Sequence, residues 1–369
     1  MAQEFDVIVI GAGMAGSTAA AHLAPHKRVA LVEAEDVPGY HTTGRSAATW
    51  ILNYGPPDVR VLNGLSLPFL QNPPPGFADH ALTRPRAVLT VAPEDQRETL
   101  DIMMATSIGL RPIAVAEACA LVPALRSDYA TAAAIEDAAD LDVAAIQQGF
   151  LRMLRAEGGV LALRARAGRI ERKASRWEVD TSSGTAFRAP VVINASGSWG
   201  DEVAAIAGLA PIGLIPCRRT GAIIDPAPFQ PEDWPMVMDA AGTWYVRTEA
   251  RTKLMVSPAD ATPMHPHDVQ PDELDIAIGI DRMQQALDIE VRRVERAWAG
   301  LRTFTPDHSL AFGWDAKAAG FFWCVGQGGY GIQTSPAAGR LVADLVLGRD
   351  PGEAGSIVAT IDPKRFAVS

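Results

Sequence analysis

Six residues near the start of the chain, Gly11-Ala12-Gly13-Met14-Ala15-Gly16, restrict what it can fold into more than any others. The run before them, residues 5–10 (FDVIVI), is apolar and β-branched, as a fully buried parallel strand requires. Residues 14–24 are rich in Ala, Met and Leu and predict a helix, and residues 28–33 (RVALVE) predict the next strand. In such a βαβ unit the first glycine permits the tight turn, the second lets a pyrophosphate approach the backbone, and the third lets helix and strand pack closely. The helix N-terminus adds N–H donors and a positive dipole. Glu33 ends the second strand, 20 residues beyond Gly13, where a carboxylate meets ribose hydroxyls. Strand, helix and acid together specify a Rossmann-type dinucleotide site, which a glycine turn alone would not.

The rest of the chain alternates in character. Residues 37–54 are rich in Gly, Thr and Ser and predict a long functional loop. Residues 56–80 carry Pro56, Pro57, Pro68, Pro73, Pro74 and Pro75 and read as a surface excursion. A strand is expected over 86–92, helices over 94–107, 115–121 and 143–158, and strands over 160–164, 166–172, 176–181 and 190–195. Short strands and turns fill 212–260, a helix is expected over 281–290, and the end returns to strand (321–326), glycine loop and helix (336–347). This order predicts an α/β fold in which a Rossmann-type FAD-binding domain (1–80, 141–211 and 300–369) is interleaved with a β-rich, mixed-sheet substrate domain (81–140 and 212–299).

Composition narrows the class. The chain has 369 residues, 48% of them apolar, which suits a globular enzyme with a full core. Its net charge of −10 argues against nucleic acid and anionic membrane as partners. Cys119, Cys217 and Cys324 are far apart and read as reduced thiols, not a disulfide-reductase pair. The start MAQEF lacks the basic stretch of a secretory signal, and no uncharged apolar run reaches the ~18 residues of a membrane span, so a cytoplasmic protein is expected. His265-Pro266-His267 reads as a solvated loop, and no metal site is expected.

Two segments favour FAD over NAD. Residues 38–48 (PGYHTTGRSAA) are small and hydroxylated, so a bulky ring can approach their backbone. Near the C-terminus, Gly326-Gln327-Gly328-Gly329-Tyr330-Gly331-Ile332-Gln333-Thr334-Ser335-Pro336 is a second glycine loop that opens a helix, with Thr334 or Ser335 able to cap it. A helix N-terminus aimed at the flavin pyrimidine stabilises the charge of the reduced ring. Cofactor contacts are expected from His41, Thr43, Gly44, Arg45, Ser46 and Ala47; from Ala195, Gly197 and Trp199; and from Gly328, Gly329, Tyr330, Gly331, Ile332, Gln333 and Thr334, beside Gly11, Gly13, Gly16 and Glu33. No second GxGxxG occurs in mid-chain, so the substrate itself is expected to deliver the electrons.

The chain resembles, nearly end to end, the D-amino acid oxidase family of flavoenzymes. The segments PGYHTTGRSAA, RPRAVLTV, AWAGLRTFTPD and GQGGYGIQTS are most similar to D-arginine-type dehydrogenases. The resemblance implies non-covalent FAD, a small amino acid substrate, hydride transfer from Cα to flavin N5, and an imine hydrolysed to 2-oxo acid and ammonia. It implies that Arg302, supported by Arg219, holds the substrate carboxylate, and that Tyr54 and Tyr245 are pocket tyrosines. A planar guanidinium suits that role because it bonds both carboxylate oxygens. Ala87 and Gly242 are neutral where a cationic side chain would need acids, and Thr49 stands where histidine is expected, so a neutral, hydrophobic side chain or an N-substituted glycine fits better. Two alternatives stand beside this reading: a flavin 2-hydroxy acid oxidoreductase, which needs a histidine base such as His41 or His308, and a non-catalytic FAD-binding subunit. The electron acceptor (oxygen, a quinone or an electron-transfer protein) is left open.

Overall fold

A computed structural model describes residues 2–367. Its centre is a six-stranded sheet in the order Ala311–Trp314, Phe321–Val325, Val191–Asn194, Val7–Ile10, Val29–Val32, Val160–Ala162. All neighbours are parallel except the edge strand Ala311–Trp314. Every residue of Val7–Ile10 and Val29–Val32 is buried, because both faces of the sheet are covered. Helices Met14–Leu23, Val143–Ala156 and Ser335–Leu347 pack together on one face. On the other, a four-stranded sheet contributes Ile170, Trp177, Val179 and Phe187 to a core shared with Ile8, Ile10, Val192 and Phe321. From Val7–Ile10 the chain first builds outward to Val29–Val32, then returns to Val191–Asn194 on the opposite side. That reversal leaves a crevice at the carboxyl ends of the two central strands, the usual ligand position in such sheets.

A ten-stranded sheet stands beside it. It runs Thr262–Pro263, Ile215–Ile224, Lys253–Ser257, Tyr245–Glu249, Met236–Asp239, Thr83–Ala92, Ala132–Leu141, Thr49–Ile51, with Val294–Phe304 paired to Ile215–Ile224 and Arg111–Ile113 to Ala132–Leu141. Its pairs are antiparallel except Met236–Asp239 with Thr83–Ala92. The expected fold class, an α/β Rossmann-type unit interleaved with a mixed β-rich one, is observed.

Two segments differ from expectation, and one strand had none. The proline-rich stretch is not a surface excursion: Pro57–Gln71 is a helix that buries Val59, Leu62, Asn63, Ser66 and Leu70 and packs against Ser335–Leu347. Pro57 sits in the first turn, where its missing N–H costs nothing. Ala132–Leu141 is a ten-residue strand despite its alanines, held by ten register pairs with Thr83–Ala92. Weak propensity yields there to pairing on both edges. The helix expected over 281–290 spans Glu273–Ala286, with the Asp272 carboxylate accepting the Leu274 N–H at 2.9 Å as its cap.

One buried group makes the helical face sensitive to acid. His22 on Met14–Leu23 lies against Phe150 and Gly339, and its Nε2 makes no hydrogen bond. Burial, reinforced by Arg340, lowers its pKa from 6.5 to about 4. The folded state therefore resists a proton that the unfolded chain accepts. The stability tied to neutral His22 is complete above about pH 6.5 and is lost as the pH falls toward 4, by roughly 3 kcal/mol in all. Denaturant midpoints measured from pH 7 to 4 should fall more steeply for the wild type than for His22→Leu; equal slopes would contradict this assignment.

Candidate active site

A cavity of about 420 Å³ occupies the crevice and extends to the ten-stranded sheet. At the crevice end the three glycines differ in what surrounds them, and Gly16, expected among the cofactor contacts, lies off the cavity. A Cβ on Gly11, whose φ is +101°, would lie 2.6 Å from the Ala195 oxygen, so the backbones leaving the two central strands can come this close only with glycine. A Cβ on Gly16 would lie 1.8 Å from the Gly11 oxygen, so Gly16 serves helix packing and does not line the cavity. Gly13 lines it, and nothing is closer to its missing Cβ than the Thr43 hydroxyl at 3.5 Å. That space is open to a ligand. Thr43 Oγ1 accepts the Met14 N–H at 3.0 Å and ties the loop to the helix start. The Glu33 carboxylate accepts the Ala12 N–H at 2.7 Å and the Glu35 N–H at 3.0 Å, which fixes its direction in the cavity.

Ala195, Gly197 and Trp199 line the opposite strand's exit. His41 lines the cavity too, but its Nε2 lies 3.0 Å from the Glu35 carboxylate and its ring 4.5 Å from that of Trp199. Arg45, Ser46 and Ala47 line the cavity as well. The Arg45 guanidinium is directed to Asp268 and to the Val269 and Ala299 carbonyls, stapling this loop to the strand Val294–Phe304. Gly44 lies off the cavity, where a Cβ would meet the Gly39 oxygen at 2.8 Å.

The second glycine loop forms the far side. Gly328, Gly329, Gly331, Ile332 and Gln333 line the cavity; Tyr330 and Thr334 lie behind them. Thr334 occupies the cap position of helix Ser335–Leu347, yet its hydroxyl donates back to the Tyr330 carbonyl at 2.9 Å and does not cap, which corrects the expected role. Ser335 does not cap either, since its Oγ makes no hydrogen bond. Gln333 is buried: its Oε1 accepts the Ile51 N–H at 3.0 Å and its Nε2 donates to Asn63 Oδ1 at 2.7 Å. Asn63 in turn donates to the Ile51, Leu52 and Tyr54 carbonyls. This residue was missed in sequence because it lies on the helix taken for a surface excursion; its spacing from Val59 and Leu62 on one apolar face was the available signal.

At the sheet end, Arg302, Arg219, Tyr54 and Tyr245 come together. Arg302 stands on Val294–Phe304 opposite Cys217 of the neighbouring strand, and its Nη1 donates to the Tyr54 hydroxyl at 2.8 Å. A Cβ on Gly329 would lie 2.9 Å from its Cζ, so the glycine makes room for the guanidinium. Arg219 Nε donates to the Asp260 carbonyl at 2.7 Å, and the side chain lies against Tyr245. Burial would push the Tyr245 phenol up, yet Arg302 and Arg219 hold it below its ordinary value. Burial also opposes the charge on Arg302, which the three tyrosines around it nonetheless hold above its ordinary value. Ile51, Met236, Met238, Met255 and Trp298 complete this end, with Thr49 and Gly242; Ala87 does not reach the cavity. The acids lining the cavity are Glu33, Glu35 and Glu202, all in segments around the crevice.

The glycine cradle and the fixed Glu33 carboxylate fit the pyrophosphate and ribose of FAD. When bound, FAD supplies a two-electron acceptor. Among the described residues no group of three His, Cys, Asp or Glu is arranged to hold a metal ion, and no helix is long and apolar enough to cross a membrane. His265 and His267 are exposed. Cys119, Cys217 and Cys324 are all free thiols.

The structure is similar to glycine oxidase from Geobacillus kaustophilus (TM-score 0.85, 20% identity, covering 99% of this chain and 100% of that one) and to L-proline dehydrogenase from P. horikoshii (TM-score 0.84, 20% identity, 99% and 98%). In sequence it is 26% identical over 179 residues to FAD-dependent oxidoreductase domain-containing protein 1 of Bos taurus, a match that covers 42% of this chain and 35% of that protein. The chain thus spans about a third of the length of that relative. The model of the DAO family of FAD dependent oxidoreductases matches residues 6–345, and the chain belongs to that family.

Proposed function

We propose that the protein oxidises an amino acid with a neutral side chain, either a D-amino acid or an N-substituted glycine, with Arg302 holding the substrate carboxylate. The observation that carries this reading is a guanidinium in the cavity with a tyrosine for its partner and no carboxylate beside it. Its fork has room for both oxygens of an incoming carboxylate, and Arg219 stands on the adjacent strand to support it. The proteins of similar fold, named as glycine oxidase, L-proline dehydrogenase and L-amino acid deaminase, agree with an amino acid substrate.

With the carboxylate anchored, Cα is oriented and a rotational freedom is removed before the reaction. Bound FAD would supply the acceptor for the hydride released as the Cα–H bond breaks and the amine lone pair forms the C=N bond; water would then convert the imine to a 2-oxo acid and ammonia, or, from an N-substituted glycine, to glyoxylate and the substituted amine. The amine must therefore arrive unprotonated. The two histidines that a hydroxy acid reaction would call on are poorly placed for it. His41 is engaged with Glu35 and Trp199, and His308 is exposed beside Phe304. These placements support the amine over the alcohol. The cofactor roles given to the loop residues above, and the division into FAD-binding and substrate domains, belong to this reading.

Arg302→Met should reduce kcat/KM by roughly 10²–10³-fold or more, the equivalent of ~3–5 kcal/mol, while FAD content stays near normal. Arg302→Lys should recover part of the loss, since an ammonium lacks the bidentate fork. A change in melting temperature with kcat/KM within a few-fold of wild type would end the carboxylate assignment.

The wall of Ile51, Met236, Met238, Met255 and Trp298 carries no acid to meet a cation, and burying an unpaired charge costs several kcal/mol. Neutral D-amino acids are expected to exceed D-arginine and D-lysine in kcat/KM. A substrate panel with a clear preference for the cationic pair would overturn the reading of this wall, despite the resemblance to D-arginine-type enzymes.

The FAD should leave the protein intact on acid precipitation. Cys324 lies off the cavity, and burial pushes its thiol up to about 12; the His41 ring is committed to Glu35. Yellow colour that stays with the precipitate would show a covalent bond and contradict this.

A further inference from the structure

Behind the cavity wall, two arginines share one carboxylate. Arg86 on Thr83–Ala92 places its Nε 2.5 Å from Asp140 Oδ2, and Arg247 on Tyr245–Glu249 places its Nη2 3.5 Å from Asp140 Oδ1. The three side chains are only 6%, 16% and 12% exposed for Arg86, Asp140 and Arg247. Arg86 is fully engaged, with further bonds to the Glu232 and Trp234 carbonyls and the Thr248 hydroxyl. Arg247 is not: its Nε makes no hydrogen bond, nor does Asp140 Oδ1. Two guanidiniums and one carboxylate leave one positive charge uncompensated. A merely structural ion pair would gain by being balanced and saturated, and this group is neither.

The uncompensated charge points at the cavity lining. Arg247 Nη1 donates to the Ala47 carbonyl and, at 3.3 Å, to the Ala48 carbonyl. Ala47, Ala48 and Thr49 all line the cavity, and Ala48 has a φ of +25°, a conformation alanine does not adopt without support. Because the peptide is trans, the Ala48 N–H lies opposite the carbonyl that Arg247 holds and is directed away from it. The Ile51 N–H to Gln333 bond ties this segment to the second glycine loop, so both border one stretch of cavity. On the proposed function above, on which this inference rests, Arg302 and Tyr54 hold the reacting carbon beside that stretch, and the flavin ring must lie there to receive the hydride.

We propose that Arg247 is a positioning residue for the flavin: it fixes the Ala47–Ala48 peptide and supplies a buried positive charge that favours the reduced, negatively charged ring. A hydride brings two electrons and one proton, so the ring gains one negative charge on reduction. A fixed cation behind a low-dielectric wall favours that state without contacting the substrate.

The test uses the FAD-loaded protein, equilibrated under nitrogen with a reference dye. Arg247→Gln keeps a donor for Ala47 and removes the charge; it should lower the ratio of reduced to oxidised flavin at fixed potential at least tenfold, about 30 mV for a two-electron couple. Asp140→Asn removes the compensating carboxylate and should shift the ratio the other way. Arg247→Lys should stay within about threefold of wild type, because it keeps the charge. Either of the first two variants alone decides the matter if the other fails to load FAD. No shift, shifts of the same sign, or a Lys variant that falls as far as Gln would overturn the proposal, even if melting temperatures change. No amino acid is used, so failure of the substrate assignment would show separately, as a flavin that amino acids do not reduce.

Discussion

A guanidinium facing a cavity without a carboxylate beside it is the constraint that the site depends on. Burying such a charge unpaired costs several kcal/mol, and the surroundings of Arg302 reduce that cost only in part. Tyr54 accepts one hydrogen bond, Tyr245 stands near, and Gly329 withholds a side chain so that the glycine loop can close over the guanidinium. The position of Tyr54 is in turn set from behind. Asn63 holds the carbonyls of its loop, and Gln333 joins Asn63 to the backbone of Ile51.

The cavity is polarised along its length in a way the net charge of the chain conceals. Glu33, Glu35 and Glu202 line the crevice end, where hydroxyls of a nucleoside need acceptors. Arg302 and Arg219 line the sheet end, and the surplus cation of the Arg86–Asp140–Arg247 group lies on the same face of that sheet, beneath the Ala47–Ala48 segment. An overall charge of −10 does not prevent two arginines from setting the local field, because charges farther off than a Debye length are screened in solution and those in the pocket are not.

Much of the crevice was legible in the sequence, because its geometry rests on backbone rules with a residue signature. Only glycine survives at Gly11, and an acid at the end of the second strand has a fixed offset from the glycines. The sheet end was legible mainly through resemblance: nothing local in AWAGLRTF says that Arg302 faces a cavity, since that depends on pairing with Ile215–Ile224, distant in sequence. What stayed hidden was of the same kind. Ala132–Leu141 has a poor strand composition and forms through its neighbours on both edges, and the Pro57–Gln71 helix was masked by prolines, of which Pro57 opens it, Pro68 lies inside it and Pro73–Pro75 follow it. Asn63 and Arg247 went unremarked because a buried polar residue announces itself only once its partners are placed.

The most direct measurement of the central claim is anaerobic titration of the FAD-loaded protein with a neutral amino acid, followed through the flavin's visible absorbance. Stoichiometric bleaching, about one amino acid per flavin, with the matching 2-oxo acid and ammonia recovered, is the expected result. A flavin that dithionite bleaches completely but no amino acid or N-substituted glycine bleaches at all would contradict it.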